Sequence, residues 1–145
     1  MAIRTGIDLM IDYRGKVALF RYFDGFVLPG VSKIRSDETV QKAALRAARN
    51  YIGRDVELDG TVALYGPGHA ALKPGCDSSL LMSAKISEEA YGKDLYFIDP
   101  LKIDGMGLSP QQEALMRSYL EWKSERKPRA PMSRTEKWEA LLTKF

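Results

Sequence analysis

GFVLPGVSKIRSDETVQKAALRAARNYIG, running from Gly25 to Gly53, is the stretch of sequence that says most about the fold. It begins with a short apolar run that Pro29-Gly30 ends, as expected for a strand followed by a turn. Ser36, with two acidic residues directly after it, predicts the start of a helix, and Gly53 predicts its end. Small and apolar residues recur between them at helical spacing. The apolar side of this helix consists of Val40, Ala44, Ala47, Ala48 and Tyr51.

Two strands joined by a tight turn precede this stretch. Residues Thr5 to Asp12 alternate between apolar and other side chains, which predicts a strand. Tyr13 to Lys16 reads as a hairpin turn with Gly15 at a positive-φ position. Val17 to Tyr22 is the returning strand.

Further strands and one long helix follow it. The predicted strands are 56–64, with a break at Asp59-Gly60, then 80–86 and 95–98. Residues 65–78 form a long turn-rich loop. Ser109, Pro110 and Gln112 predict a capped helix that runs to about Ser124. The order of strands and helices indicates an α+β domain.

The chain of 145 residues has the length of one domain. We expect this domain at 1–124, a basic proline-containing linker at 125–132 and a short amphipathic helix at 133–145. A helix this short needs a surface to dock on, either its own domain or a protein partner or second copy. Its apolar face consists of Trp138, Leu141, Leu142 and Phe145.

Composition excludes several classes of protein. One cysteine and one histidine, Cys76 and His69, exclude an internal disulfide and make a structural zinc site very improbable. Asp8 and Asp12 interrupt the apolar N-terminal residues, so no secretory signal is expected. No apolar run is long enough to span a bilayer. We therefore expect a cytoplasmic protein without a membrane partner, and we assign Cys76 no role.

The net charge of +3 hides an uneven distribution. Residues 28–54 carry six basic and two acidic side chains, whereas residues 55–120 carry five basic and ten acidic ones. Such a pattern is typical either of a solvated mixed surface or of a face that binds anions. Both interpretations remain open at this point.

The stretch quoted first resembles the Nudix box and the segment that leads into it. In that family the box is a glycine, five residues, a glutamate, seven residues, and then Arg-Glu-U-x-Glu-Glu-x-Gly-U, where U is a bulky apolar residue. An aromatic-x-Leu-Pro-Gly run usually precedes it, and Phe26–Gly30 matches that run. Glu38 and Arg46 have the central spacing, and Gly53 matches the last glycine. The resemblance covers about residues 5–122 and implies a mixed β-sheet between helices (α/β/α), with a C-terminal helical tail.

This chain departs from the family pattern at the residues that the family uses for catalysis. In Nudix hydrolases the glutamates of the box bind Mg²⁺ or Mn²⁺ and hold the metal against a diphosphate. This chain has Ala47, Asn50 and Tyr51 at those positions. Magnesium normally needs at least one or two carboxylates, so we expect no metal and no catalytic residue here.

The residues that remain belong to the frame of the box. The resemblance assigns Glu38 and Arg46 mainly to holding the loop and the helix together, with Gly30 and Gly53 as structural glycines. Gly30 lies two residues earlier than in the family, which makes the loop before Glu38 two residues longer.

The basic residues of this region are candidates for direct phosphate binding. A phosphate or a nucleic-acid backbone would be contacted by cations in place of the metal. The alternative is a solvated helix face, with Arg46 engaged by Glu38. The candidate residues are Lys33, Arg35, Lys42, Arg46 and Arg49.

Other residues are weaker candidates. Tyr22, Phe23 and Phe26 could stack on a base or simply pack, and His69 lies in a loop that often borders the ligand cleft in the family. Carboxylates outside the box could supply relocated metal ligands, although a solvent-facing strand edge or an isolated acid explains them equally simply. These are Asp55, Glu57, Asp59, Glu88 and Glu89.

Three functions follow from these patterns. The first is a catalytically degenerate Nudix-fold protein that binds a nucleotide, a nucleoside-diphosphate derivative or RNA. The second is a divergent Nudix pyrophosphohydrolase with metal ligands from outside the box, and only this one requires Mg²⁺ or Mn²⁺. The third is a structural or interaction subunit that uses the terminal helix.

Overall fold

A computed structural model describes residues 3–23, 25–103 and 106–126 of the chain. The strands are β1 (Thr5–Tyr13), β2 (Lys16–Tyr22), β3 (Gly25–Val27), β4 (Gly30–Val31), β5 (Glu57–Tyr65), β6 (Ser78–Lys85) and β7 (Leu95–Ile98). The helices are α1 (Val40–Ile52), a 3-10 turn (Pro100–Lys102) and α2 (Pro110–Arg126). The predicted linker and terminal helix lie almost entirely outside the described residues, since α2 continues two residues past Ser124.

The seven strands form one mixed sheet. Its main path is β3-β2-β1-β6-β5, with β4 paired to β1 and β7 paired to β2. The pair β1–β6 is parallel over eight positions, from Thr5 opposite Ser78 to Asp12 opposite Lys85. The other pairings are antiparallel.

The predicted hairpin turn is present between β1 and β2. Arg14 and Gly15 have φ angles of 51° and 85°, which is the two-residue geometry that suits the twist of the strands. The two strands pair only next to this turn. Residues 25–31 then connect to both, because β3 pairs with β2 and β4 pairs with β1. The peptide between them is held by Leu9 N, which donates to Pro29 O at 2.8 Å.

The helices cover opposite faces of the sheet, so the chain is an α/β/α sandwich. One core contains α1 with Leu9 and Ile11, and the other contains α2 with Met10 and Leu19. Strand β1 therefore lies between two apolar layers, and residues 6–11 are all buried. The alternation seen in the sequence does not mark a solvent face, because the side chains between the apolar ones also face a helix.

Helix α1 begins later than the sequence predicts. Its N-cap is Thr39, whose hydroxyl oxygen accepts from Lys42 N at 3.1 Å, so Ser36 is wrong as the cap. Residues 36–38 form a turn instead, with Glu38 N donating to Arg35 O. The end at Gly53 is confirmed, with φ 70° and a hydrogen bond to Arg49 O.

The buried side of α1 is made almost entirely of alanine. Four alanines are 0% exposed, and Ile52 completes the face. Tyr51 was expected on this side but is 36% exposed at its margin. The four are Ala43, Ala44, Ala47 and Ala48. Since alanine side chains are short, they let α1 pack closely on the sheet.

Strand β5 has the irregularity expected near Asp59-Gly60. Its pairing with β6 shifts between Leu58 and Gly60, and again between Thr61 and Ala63. Such bulges add a residue on one strand and bend it.

Helix α2 starts as predicted, at Pro110 after Ser109. The Ser109 hydroxyl oxygen accepts from Gln112 N at 3.2 Å. The second half of a capping box is absent, because the Gln112 Oε1 accepts from Leu28 N at 3.1 Å instead. This bond satisfies a buried backbone group between β3 and β4.

Candidate functional site

The loop before α1 is tied to the helix by Glu38 and Arg46. Arg46 donates from Nε to Glu38 Oε2 at 2.9 Å and from a terminal nitrogen to Oε1 at 2.8 Å. The same terminal nitrogen also donates to Lys33 O at 2.8 Å. Glu38 Oε1 accepts from Arg35 N at 3.0 Å. The bonds from Arg46 and from the Arg35 backbone lower the pKa of Glu38 to about 2.

These contacts remove Arg46 from the group of available cations. Its guanidinium is bidentate on Glu38, a geometry that is both strong and directional. The pair therefore fixes the course of residues 33–38 rather than presenting a free charge to a ligand.

Arg49 is also paired. Its Nε donates to Asp55 Oδ1 at 2.6 Å, and both side chains are well exposed. The Arg49 hydrogen bond lowers the pKa of Asp55, and Asp55 raises the pKa of Arg49. Because solvent screens this pair, a stronger anion can compete for the arginine.

Three of the five predicted cations are exposed near the start of α1. Lys33 and Arg35 lie in the loop, and Lys42 lies in the first turn of the helix. Within residues 3–23, 25–103 and 106–126, their side chains make no ion pair. The first turn of a helix also carries unpaired backbone N–H groups that favour anions.

The three residues that the resemblance aligns with the family's metal-binding glutamates, Ala47, Asn50 and Tyr51, carry no carboxylate. Ala47 is fully buried against the sheet, and Asn50 is an exposed neutral amide. Tyr51 packs edge-on against Phe20, with ring centroids 4.9 Å apart. These side chains do not fit a divalent cation that prefers carboxylates. Across the part of the chain that the structure describes, no three His, Cys, Asp or Glu residues are grouped to hold a metal.

Three carboxylates outside the box, those of Glu57, Glu88 and Glu89, each contact a different side chain. Glu57 lies 3.7 Å from Lys85, and Glu88 lies 3.4 Å from Arg54. Glu89 accepts from the Tyr91 hydroxyl at 2.8 Å. These are exposed contacts on different elements.

Asp55, Glu57 and Asp59 do not alternate along one regular strand, so they do not form a row of relocated metal ligands. Asp55 precedes β5, which begins at Glu57. Asp59 lies within the first bulge, between the paired residues Leu58 and Gly60. The bulge breaks the two-residue repeat that would place the three side chains on one side.

The predicted aromatic residues separate into two groups. Tyr22 and Phe23 lie at the β2–β3 turn, 62% and 82% exposed, with their rings edge-on at 4.5 Å. Phe26 is partly buried and packs edge-on against Tyr96 at 5.7 Å. Of the three rings, those of Tyr22 and Phe23 are the more exposed.

His69 lies in the loop 66–77, which folds down over the sheet. Its ring contacts that of Tyr65 at 4.7 Å, and its Nδ1 accepts from Ala71 N at 3.0 Å. Ala71 itself is fully buried. The histidine therefore helps to shape the loop.

A buried polar group that no local sequence pattern indicates lies under this loop. Asp8 is 1% exposed, and its Oδ1 accepts from Lys73 Nζ at 2.8 Å. Gln111 donates to Asp8 Oδ2 at 3.4 Å and to Ala71 O at 3.0 Å. Burial raises the pKa of the Asp8 carboxyl above its ordinary value, while Lys73 and Gln111 act against this. Since Asp8 and Lys73 are 65 residues apart, no local pattern could have paired them.

An open cavity of about 610 Å³ lies beside the last turns of α2. Tyr119, Trp122 and Lys123 line it from the helix, with Asp12 and Ser83 from the sheet. We call it the α2 cavity. None of the predicted phosphate-binding residues lines it.

The helices of the described part are too short or too polar to cross a bilayer. No protein-family model matches the sequence, and no curated protein matches it significantly.

Solved structures do match the fold. The NUDIX domain of Shewanella oneidensis NrtR, in complex with ADP ribose, has a TM-score of 0.64 at 17% identity over 83% of this chain and 88% of that one. A NUDIX-family hydrolase from Clostridium perfringens has a TM-score of 0.63 at 16% identity, and the match covers 86% of this chain and 98% of that one. A UDP-X diphosphatase has a TM-score of 0.64 at 15% identity. The match covers 83% of this chain but only 64% of the length of the diphosphatase. The sheet, its two helical layers and these matches establish that the chain has the Nudix fold.

Proposed function

We propose that this chain is a Nudix-fold protein that binds the phosphates of a nucleotide, a nucleoside-diphosphate derivative or RNA without hydrolysing them. The observation that carries the proposal is the box itself. Ala47 stands fully buried where the family has a metal-binding glutamate. Metal-dependent phosphoryl chemistry relies on a cation held in a fixed position. A site with one neutral amide and no carboxylate does not supply it.

The exposed cations support phosphate binding at the start of α1. Lys33 and Arg35 lie in the loop before the helix and Lys42 lies in its first turn. The Glu38–Arg46 pair holds the loop. A preordered loop loses less entropy when a ligand binds. Tyr22 and Phe23 are the candidate stacking surface for a base, worth roughly 1–3 kcal/mol per base.

The hydrolase alternative requires relocated carboxylates. Glu57 and Glu88 lie on different elements, each beside a basic side chain. A metal would have to displace Lys85 and Arg54 and still gather further ligands. This arrangement favours the binding function.

A turnover and binding panel tests the proposal. ADP-ribose, UDP-sugars, dinucleoside polyphosphates, NAD, nucleoside triphosphates and capped RNA would each be incubated with Mg²⁺, with Mn²⁺ and with chelator. We expect binding of at least one of them and no metal-dependent turnover. Turnover that chelation abolishes would contradict the proposal and establish an enzyme.

A pair of charge-matched variants locates the phosphate contacts. Lys33→Glu with Lys42→Glu should weaken binding at least about tenfold, a loss of roughly 1.4 kcal/mol. The control is Lys93→Glu with Lys102→Glu, which changes the net charge equally at exposed positions on other elements. Equal loss in both variants would mean that only overall charge matters, and no loss in either would place the site elsewhere.

A further inference from the structure

The buried carboxylate of Asp8 accepts a hydrogen bond on each of its two oxygens. Its Oδ1 accepts from Lys73 Nζ at 2.8 Å, and its Oδ2 accepts from Gln111 Nε2 at 3.4 Å. The orientation of the Gln111 amide is fixed, because Nε2 also donates to Ala71 O and Oε1 accepts from Gln112 Nε2. An ammonium group has no acceptor, and the amide presents its donor. Both oxygens of Asp8 therefore face N–H groups.

This arrangement suits the ionised form of the Asp8 carboxyl group alone. A protonated carboxyl group donates from one of its two oxygens. A proton on Oδ1 would point at the Lys73 ammonium, and a proton on Oδ2 would point at the Gln111 amide. Whichever oxygen takes the proton, one of the two contacts must be given up.

Lys73 is the partner that can leave. Its side chain is 20% exposed, so its ammonium can exchange Asp8 for water. Gln111 stays, since it also satisfies the carbonyl oxygen of Ala71, a residue that is fully buried. Once Asp8 is neutral, the Coulomb attraction that holds the Lys73 ammonium beside it is lost as well.

We propose that Asp8 and Lys73 form a pH-sensitive latch that fastens the loop 66–77 to β1. When Asp8 takes up a proton from water, the ammonium of Lys73 moves to solvent with its charge unchanged, and the loop loosens. The latch lies beside the segment that leads into the candidate site, because Cys76 Sγ donates to Ser32 O at 3.2 Å. It is a property of the fold and does not depend on phosphate binding.

The titratable neighbours of Asp8 on the elements packed against it keep their charge in acid. The Cys76 thiol in the loop and the Tyr65 hydroxyl on β5 both feel the Asp8 charge. Burial raises the pKa of both groups above their ordinary alkaline values, so both stay neutral as pH falls. Strands β4 and β6 place Gly30 and Leu81 opposite Asp8, and neither titrates.

Nuclear magnetic resonance on the full chain labelled with ¹³C and ¹⁵N tests the latch. A titration from about pH 8 to about pH 3 spans the ordinary aspartate pKa of roughly 3.9 and values above it. The experiment follows the side-chain carbon of Asp8, the ammonium signal of Lys73 and the exchange of backbone amide hydrogens. Since burial raises the pKa of Asp8, we expect its proton to bind above the ordinary range.

The response of Lys73 should share the midpoint of the Asp8 titration. At that midpoint we expect loss of the Lys73 ammonium signal. The Cys76 amide donates to Lys73 O. Relative to its intrinsic rate it should exchange about tenfold faster or more, the effect of losing one charged hydrogen bond. The Leu9 amide, which donates to Pro29 O within the sheet, should stay protected.

Two matched variants make the assignment specific. Asp8→Asn carries an amide N–H group in place of one oxygen, so it imitates the protonated carboxyl group and should show the released Lys73 at every pH. Asp12→Asn makes the same change on the same strand, at a residue whose carboxylate accepts from Lys123 at 3.0 Å instead. It should leave Lys73 unaffected.

His69 needs a control of its own, because histidine changes charge near neutral pH and this one lies in the same loop. Its Nδ1 accepts from Ala71 N at 3.0 Å. An asparagine oxygen can accept the same bond without titrating. The His69→Asn chain should therefore keep the full response of Lys73.

Three results would overturn the inference. A Lys73 signal that persists after Asp8 has taken up its proton would mean that the two groups are not coupled. A response that vanishes in His69→Asn would assign the switch to the histidine. Loss of protection at Leu9 together with Cys76 would mean that acid unfolds the chain as a whole. Because the first and third results need only the wild-type chain, the test holds even if a variant fails to fold.

Discussion

Gly30 shows how one residue supports several parts of the site. It lies where β4 pairs with β1 opposite Asp8. A Cβ at this position would overlap the carbonyl oxygen of Ile7 and lie 3.0 Å from Lys73 Nζ. The glycine is therefore needed for close approach of two strands and an ion pair.

Gly30→Ala should lower the free energy of unfolding by about 1–3 kcal/mol, as other overpacking substitutions do. The backbone oxygen of Ile7 cannot move without disturbing β1. Gly66→Ala is the control, since a Cβ there meets nothing within 4 Å. Urea unfolding measures both, and equal stability of the two variants would contradict the assigned role.

Glu38 predicts a specific dependence of stability on pH. Its folded pKa of about 2 lies below that of a free glutamate. The carboxylate therefore stabilises the fold above the unfolded pKa, and this contribution disappears as pH falls from about 5 to 2. Glu38→Gln should destabilise the chain at pH 7 and cost progressively less at acidic pH.

Urea midpoints of Glu38→Gln and the wild type across that range provide the measurement. Glu113→Gln, at an exposed position in the first turn of α2, is the matched control. A cost of Glu38→Gln that does not change with pH would show that its charge is not what holds the loop.

At the scale of elements, the alanine face of α1 limits the size of the side chains that fit between this helix and the sheet. Four buried alanines bring the helix against β1 and its neighbours. A longer side chain on this face has no open space to occupy. A glutamate at position 47 would therefore disturb the packing of the whole helix.

Ala47→Glu should destabilise the chain by about 3–5 kcal/mol, because it buries an unpaired charge. It should also produce no hydrolysis in the presence of Mg²⁺. Asn50→Glu, on the exposed side, should change stability by no more than about 0.5 kcal/mol. Thermal unfolding compares the two, and a stable Ala47→Glu chain would show that the α1 layer is looser than described.

The sequence predicted elements where local chemistry determines them. The Arg14-Gly15 turn, the end of α1 at Gly53 and the start of α2 at Pro110 all depend on residues within a few positions. The start of α1 was mispredicted since Glu38 is bound by Arg46, eight residues away. The sequence predicts that Gln112 completes the capping box of α2, but its side-chain oxygen accepts a hydrogen bond from the backbone of Leu28, 84 residues away.

At the scale of the molecule, the pair of Asp8 and Lys73 joins β1 to the loop 66–77, and Gln111 adds α2. Three separate regions meet in one buried polar cluster. Removing one partner of a buried pair leaves an uncompensated charge. The sequence does not predict this cluster, because its residues are far apart along the chain and form no short-range pattern.

Lys73→Met should cost about 3–5 kcal/mol, and Asp8→Asn added to it should restore part of that loss. Lys85→Met removes an exposed lysine, 3.7 Å from Glu57, and should cost about 0–1 kcal/mol. Chemical unfolding of the wild type, Lys73→Met, Asp8→Asn and the double variant completes the cycle, with Lys85→Met as the fifth chain. Additive losses from the two substitutions at the buried pair would show that the charges do not interact.

The parallel pairing of β1 with β6 has a consequence for synthesis of the chain. Strand β1 is made first, yet its parallel partner is complete only at Lys85. At about 5–20 residues per second, an apolar strand waits roughly 4–14 s for that partner. During this interval the edge of β1 that later pairs with β6 has no partner, although β2, β4 and α1 have already been made. We therefore expect chaperones to remain bound to the N-terminal segment until residue 85 has left the ribosome.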